Sequence, residues 1–464
     1  MNIYRRSGSL FLIIFLILNG ASILFTSRAL QAQWLLNDLL PQGFSLQVNH
    51  RSRYEFMDDE FRANQTDQTD IIAFRTLVHG RIQLPAGFTV GGELQDSRTT
   101  VDSNALLNTT IVNSAELLRA YLEYNRPDTL DGNLTIQAGR MTLDVGSRRF
   151  VSRNRFRNTI NSFTGIDINW HSTAGLNGLH LRGFWTLPVI RLPDTPALLY
   201  QNKTVFDEEG FDLQLWGIFA ATNISRYGRG ELFVFGLHEQ NLPGNPAQNR
   251  QLFTPGFRIF RAPAASNIDY ELESAFQIGR SRASPTDYRT LEHFAHFYHL
   301  EIGFTLPIGW SPRIAALYDF ASGDENPDDG NNGRFDTLFG SRRFDFGPTG
   351  IYGALSRTNM HSPGLRLQFI PNTRLNAAVD YRALWLASDR DTWGNSGLRD
   401  ESGRSGSFVG SQIDTRIQWQ LLPGNMDIEL GYTHFFSGQF MHQAPNAAHR
   451  DDINYFYTQA TVSF

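Results

Sequence analysis

The stretch IIAFRTLVHGRIQLPAGFTVGGELQ, residues 71–95, decides the fold. Ile72, Phe74, Thr76, Val78, Gly80, Ile82 and Leu84 share one face of an extended chain, while Arg75, His79, Arg81 and Gln83 share the other. Successive side chains of a β-strand point to opposite faces, so this spacing predicts a strand with one apolar and one polar side. Pro85-Ala86-Gly87 then supplies the breakers of a tight turn. Phe88, Val90, Gly92 and Leu94 resume the apolar face against Thr89, Glu93 and Gln95. Alternation over about ten residues on each side of a short turn is the pattern of a transmembrane β-barrel.

The same period recurs along the chain. Candidate strands lie near 43–56, 70–84, 88–97, 115–125, 134–144, 163–170, 179–188, 211–221, 230–239 and 252–261. Others follow near 268–280, 293–306, 313–322, 360–370, 374–387, 410–421, 426–437 and 452–464, which makes 18. Even-numbered candidates are followed by short turns: 85–87, 263–267, 307–312, 371–373 and 422–425. Odd-numbered ones are followed by long connections, as at 98–114, 189–210, 323–359 and 388–409. A soluble β-sandwich has no reason to sort its loops by length, whereas an outer-membrane barrel does. The expected fold class is therefore all-β: a single transmembrane antiparallel β-barrel of about 18 strands over residues 33–464, with short periplasmic turns and long extracellular loops. The last candidate places Phe456, Thr458, Ala460, Val462 and Phe464 on one face. It resembles the terminal aromatic strand read by the outer-membrane assembly machinery, an expected partner beside the membrane lipid.

Composition agrees. A chain of 464 residues with a mean hydropathy of −0.31 and one long apolar run is no helical polytopic membrane protein. The absence of cysteine rules out a disulfide scaffold, a thiolate metal site and a cysteine nucleophile. A formal charge of −5 argues against nucleic acid as a partner. Arg5 and Arg6 precede Leu10–Leu18, then Asn19 and Gly20, which predicts a signal peptide over 1–32 cut after Ala32, with Ala29 or Ala21 as alternatives. With no further domain expected before the first strand, energised receptor-type uptake is not expected. Asp324–Gly333 is rich in oxygen ligands, but Gly330 and Phe335 fall at the wrong places for an EF-hand, so a solvated loop is expected. His296, His299 and His361-Ser362 form no recognisable catalytic set, and neither an enzyme nor a cofactor is expected.

Candidate site residues follow from parity. Arg51, Arg53, Arg75, Arg81, Arg119, Arg182, Arg258, Arg366, Arg382 and Arg416 face inward, as do Glu93, Glu123, Asp167, Asp269, Glu271, Glu273, Asp319, Asp380, Asp414 and Glu429. Opposite charges on neighbouring strands attract, which predicts cross-strand ladders and an acidic wall facing the arginines. Of 41 Lys and Arg residues, only Lys203 is lysine. A guanidinium matches a carboxylate bidentately, whereas an ammonium is a point charge. Between the fifth and sixth candidates, Arg148, Arg149, Arg153, Arg155 and Arg157 crowd ten residues, so segment 146–162 is expected to enter the mouth as an anion-selective patch.

Residues 138–170, AGRMTLDVGSRRFVSRNRFRNTINSFTGIDINW, resemble the signature of the alginate-export (AlgE-like) outer-membrane barrel family. The resemblance rests on Gly139-Arg140, Gly146, the basic run to Arg157-Asn158, and Phe163 with Gly165. A second block, Tyr318–Asp324, Arg334–Phe339 and Phe344–Gly347, is similar too, while Met141 and Thr164 depart from the usual pattern. The resemblance implies an 18-stranded monomeric barrel whose arginine-lined pore, Arg140 included, passes a polyuronate. Three readings stand at this point: export of an anionic polysaccharide, a general porin for small anions, and a surface binder acting through long loops.

Overall fold

The computed structural model describes residue 37 and residues 40–464, apart from 66–67, 102–106, 174, 225–227, 243–245 and 448–450. The expected signal peptide lies outside the described residues. The strands are β1 (Phe44–Met57), β2 (Thr69–Gln83), β3 (Phe88–Val101), β4 (Asn113–Arg126), β5 (Gly132–Met141), β6 (Phe163–Ser172), β7 (His180–Pro188), β8 (Leu213–Asn223), β9 (Arg229–Glu239) and β10 (Gln251–Arg261). They continue with β11 (Ile268–Ser281), β12 (Leu291–Thr305), β13 (Arg313–Ala321), β14 (Asn331–Asn332), β15 (Met360–Asn372), β16 (Leu375–Trp385), β17 (Phe408–Leu422), β18 (Met426–Ser437) and β19 (Ile453–Ser463). Each of the 18 expected segments coincides with a long strand; β14 is a two-residue addition parallel to β12.

Every long strand runs antiparallel to the next, and β1 pairs with β19 from Asn49↔Ser463 to Met57↔Tyr455, which closes the cylinder. Closure is what lipid demands, because an open sheet edge there leaves backbone groups unpaired. At the first turn, the Leu84 amide donates to the Phe88 carbonyl at 2.8 Å. Gly87 takes φ +84°, and a Cβ there would overlap the Asn125 carbonyl of β4, so only glycine fits.

The outward faces are apolar, with Trp185, Tyr318, Tyr381, Trp419 and Tyr432 all exposed. Inside, the two halves of the barrel differ. Segments 142–162 and 333–359 fold into the extracellular half and pack on its wall as one core. Phe150 sits at its centre, with ring centroids 5.5 Å from Phe233, 5.6 Å from Phe297 and 5.9 Å from Phe335. The two segments also join each other by a parallel bridge, Val151↔Phe339. The loops thus use apolar inward residues of the wall as a soluble protein uses its core.

Strand heights are unequal. The β4–β5 ladder ends at Ala120↔Arg140, so residues 113–119 of β4 rise beyond β5 and leave a notch in the rim. Segment 189–212, with a one-turn helix at Pro196–Tyr200, fills it. Asn202 stands in for a missing strand there, accepting from the Thr99 amide and donating to the Thr99 carbonyl, each at 2.8 Å.

Candidate functional site

A belt of ion pairs crosses the barrel below the packed loops. Arg366 donates to Asp380 through two bonds of 2.9 and 3.0 Å, Arg182 to Asp167 at 2.8 and 2.9 Å, and Arg258 to Glu271 at 2.9 and 3.0 Å. Arg313 pairs with Asp269 and Glu301, Arg119 with Glu93 at 3.3 Å, and Arg81 with Glu123 at 3.5 Å. Arg382 donates to Asp319 at 2.7 Å, and the same carboxylate meets His299 Nδ1 at 2.7 Å, all buried. Arg343 bridges Asp414 and Glu429. Removing both partners of such a pair from water is costly, and their mutual geometry offsets the cost only when each lone pair finds a donor. Fork-to-carboxylate matching achieves that for Arg366, Arg182 and Arg258, which is the physical content of arginine over lysine.

Segment 142–162 does enter the mouth, but its cations differ in state. Arg149 is buried and binds Asp345 bidentately at 2.9 and 3.0 Å, with Glu271 and Glu273 on its other side. Arg153 pairs with Glu93 at 2.6 Å, Arg155 with Asp144 at 2.6 Å, and Arg148 lies over the Phe344 ring at 5.2 Å. Arg51 and Arg75 hold the segment down by donating to the carbonyls of Arg155 and Arg157. Arg157 and Arg416 have no ion pair among the described residues.

Arg157 instead lines a cavity of about 240 Å³ with Arg191 and Arg342. Asn161, Ser162, Ser356, Asn395 and residues 337–340 also line it, and no carboxylate does. Arg191 donates to Asn161 Oδ1 at 2.8 Å and to the Thr109 carbonyl at 3.0 Å, while Arg342 reaches the Leu355 carbonyl at 3.3 Å. The Arg342 Nε–H is buried without an acceptor. Three like charges around one small space, each partly desolvated, repel unless an anion joins them. Thr337, Leu338 and Asn395 are shared with a larger extracellular cavity of about 640 Å³.

One expected site residue needs correction. Arg140 was placed in the pore lining, but its rung, Arg140↔Thr164, alternates with the inward Gly139 and Met141 rungs and so faces outward. From that rung its largely buried guanidinium reaches up into the notch, where it binds buried Glu116 at 2.9 Å, the Leu117 carbonyl at 3.0 Å and Glu209, which accepts from Thr164 at 2.8 Å. The strand's two-residue period decides the side, and the local sequence motif does not.

Against known proteins, the model of the family described as "Alginate export" matches residues 43–455. The chain belongs to the alginate export family. No curated protein sequence matches it. Among solved structures, this alginate export barrel resembles OccAB1 of Acinetobacter baumannii at 12% identity and a TM-score of 0.58, covering 94% of this chain and 98% of that one. It also resembles OccD3 (OpdP) of Pseudomonas aeruginosa at 14% identity and 0.53, covering 92% of each chain. Identities this low establish the fold alone. Family and fold together place the protein in the bacterial outer membrane as a pore protein surrounded by lipid.

Arg191, Arg342, Arg357, Asp345 and Asp207 escaped sequence reasoning. Asp345 lies within the Phe344–Gly347 block and Arg342 just before it, so that resemblance held a signal, whereas Arg191 and Asp207 had none. Asp207 secures the notch segment of this alginate export barrel: its Oδ1 accepts from Asn113 at 2.7 Å and from the Leu192 amide at 2.9 Å. Burial, reinforced by Glu116, pushes its carboxyl up to about 6. A raised carboxyl pKa means that the docked loop binds more protons than the released one. Docking is therefore strongest below about pH 4, and it weakens as pH climbs towards 6. Asp207→Asn should remove that dependence. At pH 7.5 a lysine-specific protease, which can cut only at Lys203, should cleave the wild-type chain faster than Asp207→Asn; equal rates would contradict the assignment.

Proposed function

We propose that this outer-membrane pore passes carboxylate-bearing carbohydrate, and that its role is export of a polyuronate of the alginate type. The observation that carries the reading is the carboxylate-free cavity shared by Arg157, Arg191 and Arg342, beside a lumen in which most other arginines already hold acids. Paired arginines set the field and brace the wall, while the unpaired ones are left to bind an incoming carboxylate. Weak, repeated capture of one carboxylate at a time lets a chain move on without lodging. Arg75, Arg81, Arg119, Arg182, Arg366, Arg382 and Arg416 would shape the path, with Glu93, Glu123, Asp269, Glu271, Glu273, Asp319, Asp380 and Asp414 keeping it from binding too tightly. Uptake of small acids through the same lumen is the second reading, favoured by a cavity of about 240 Å³, which has room for a whole small acid.

Planar-bilayer recordings test both. The wild-type current should reverse at a potential displaced towards the anion, and oligouronates should block it. Each charge-assisted hydrogen bond is worth about 1.5–3 kcal/mol, so Arg157→Ala or Arg342→Ala should weaken block by about 10- to 150-fold. Block that strengthens with oligomer length favours export, and block by monomers alone favours uptake. A cation-selective current would end both readings.

A further inference from the structure

The larger extracellular cavity, about 640 Å³, falls within the usual range of ligand sites, about 300–1,000 Å³. Four connections on the loop rim wall it: Gln248 and Arg250 before β10, residues of 281–289 between β11 and β12, residues of 324–358 before β15, and residues of 391–401 between β16 and β17. Five arginines and six carboxylates stand in this wall, so its field is close to balance, unlike that of the arginine cavity beside it. Four of the arginines are already held. Arg250 pairs with Glu239 at 2.6 Å and Asp336 at 2.8 Å, Arg289 with Asp287 and Arg399 with Glu401 at 3.1 Å each, and Arg334 with Asp391.

The polar atoms left over come from separate connections. Arg282 has no ion pair among the described residues, and its Nε and Nη1 are buried without an acceptor. His293 is 4% exposed; its Nδ1 meets Ser281 Oγ at 3.1 Å, and its Nε2 is buried with no partner. Either ring tautomer leaves Nε2 a bond to make. Thr358 Oγ1 is buried and unpaired as well. Buried polar groups are nearly always satisfied, so several such atoms in the wall of one cavity point to a ligand that both donates and accepts. A hydroxyl does both, whereas an ionised carboxylate only accepts.

At the lip stands Tyr288, between the wall residues Asp287 and Arg289, its ring centroid 5.9 Å from the Arg282 guanidinium. At 85% it is the most exposed large apolar side chain among the described residues. An aromatic face left in water beside a polar cavity suits the C–H face of a pyranose ring, whose hydroxyls lie around its edge.

We propose that this cavity is a pyranose subsite: Arg282, His293 and Thr358 take sugar rings by their hydroxyls, and the outermost ring stacks on Tyr288. Thr337, Leu338 and Asn395 also line the cavity of Arg157, Arg191 and Arg342, so hydroxyls and a carboxylate of one chain are read side by side. The assignment deepens the polyuronate reading and rests on it for the adjoining carboxylate.

Titrations followed by saturation-transfer NMR, on the full barrel in a sugar-free detergent, test it with two probes. One is a uronate trisaccharide of the alginate type; the other is the same trisaccharide with every carboxylate reduced to an alcohol. The neutral form should bind saturably. Tyr288→Ala, at a side chain that projects into water, should raise its midpoint about three- to tenfold, and Tyr288→Phe should leave it unchanged. Arg282→Gln removes a charge-assisted bond and should raise it about tenfold or more. No saturable binding of the neutral trisaccharide overturns the subsite, as does a midpoint that ignores both Tyr288→Ala and Arg282→Gln. Uronate binding that ignores Arg157→Ala, with neutral binding intact, would remove the polyuronate reading and leave the subsite standing.

Discussion

Asp345→Ala should loosen the packed loops in the extracellular half by about 3–5 kcal/mol, the cost of stripping the partner from a buried ion pair. Asp345 is 2% exposed and accepts both forks of Arg149, while Arg357 binds the same carboxylate from the other side. Burial alone would raise its pKa, but Arg149 and Arg357 outweigh that and hold it well below the usual carboxylate range. Alanine leaves Arg357, fully buried, with only the carbonyls of Arg149 and Ser341 as acceptors. Arg149 keeps Glu271 and Glu273, but Arg357 cannot stay dry without a counter-charge, so segment 333–359 should move outward. Calorimetry should show an early transition for the loops separated from that of the wall, and single-channel conductance should rise. An unchanged melt would show that the network is not what holds the loops. Asp345→Asn keeps the shape without the charge and should fall between.

Gly340→Ala should have an effect of similar size by a different route. A Cβ on Gly340 would overlap the Arg149 carbonyl oxygen, a backbone atom that cannot swing aside. Around it the Ser152 amide donates to the Phe339 carbonyl at 3.2 Å, the Phe339 amide to Phe150 at 2.9 Å, and the Ser341 amide to Arg148 at 2.9 Å. Separating the strands of this small ladder forfeits three bonds of about 1 kcal/mol each. Hydrogen exchange should reveal it: amides of 152, 339 and 341 lose protection while those of β1 and β19 keep theirs. If protection at 339 survives, the close approach is not limiting.

Most of the wall was legible in the chain because a strand's inside and outside are set by neighbours in sequence. Ile72 and Phe74 face lipid and Arg75 faces the lumen whatever the remaining strands do. Misreadings arose where the ladder is interrupted. β5 was expected to reach 144, but it stops at Met141 because the chain turns inward there, and Arg140 ends in the notch of the rim instead of the lumen. Partner choice was less legible. Arg149 and Asp345 stand 196 residues apart, and no local pattern joins them. Arg157 looked like its four neighbours in the basic run, yet it alone meets Arg191 and Arg342 without an acid.

The sequence by itself determined the barrel: the period of two, the eighteen segments, the alternation of turn and loop length, and a lumen of arginine facing acid. These follow from short-range geometry and from a solvent that leaves the backbone no other solution. Tertiary structure alone decided which guanidinium groups are neutralised and which stay available, and that the lone lysine lies exposed on the segment that fills the rim's notch. Charge pairing depends on distances of a few ångströms between residues far apart in the chain, set only once two loops have folded into the barrel and a third over its rim.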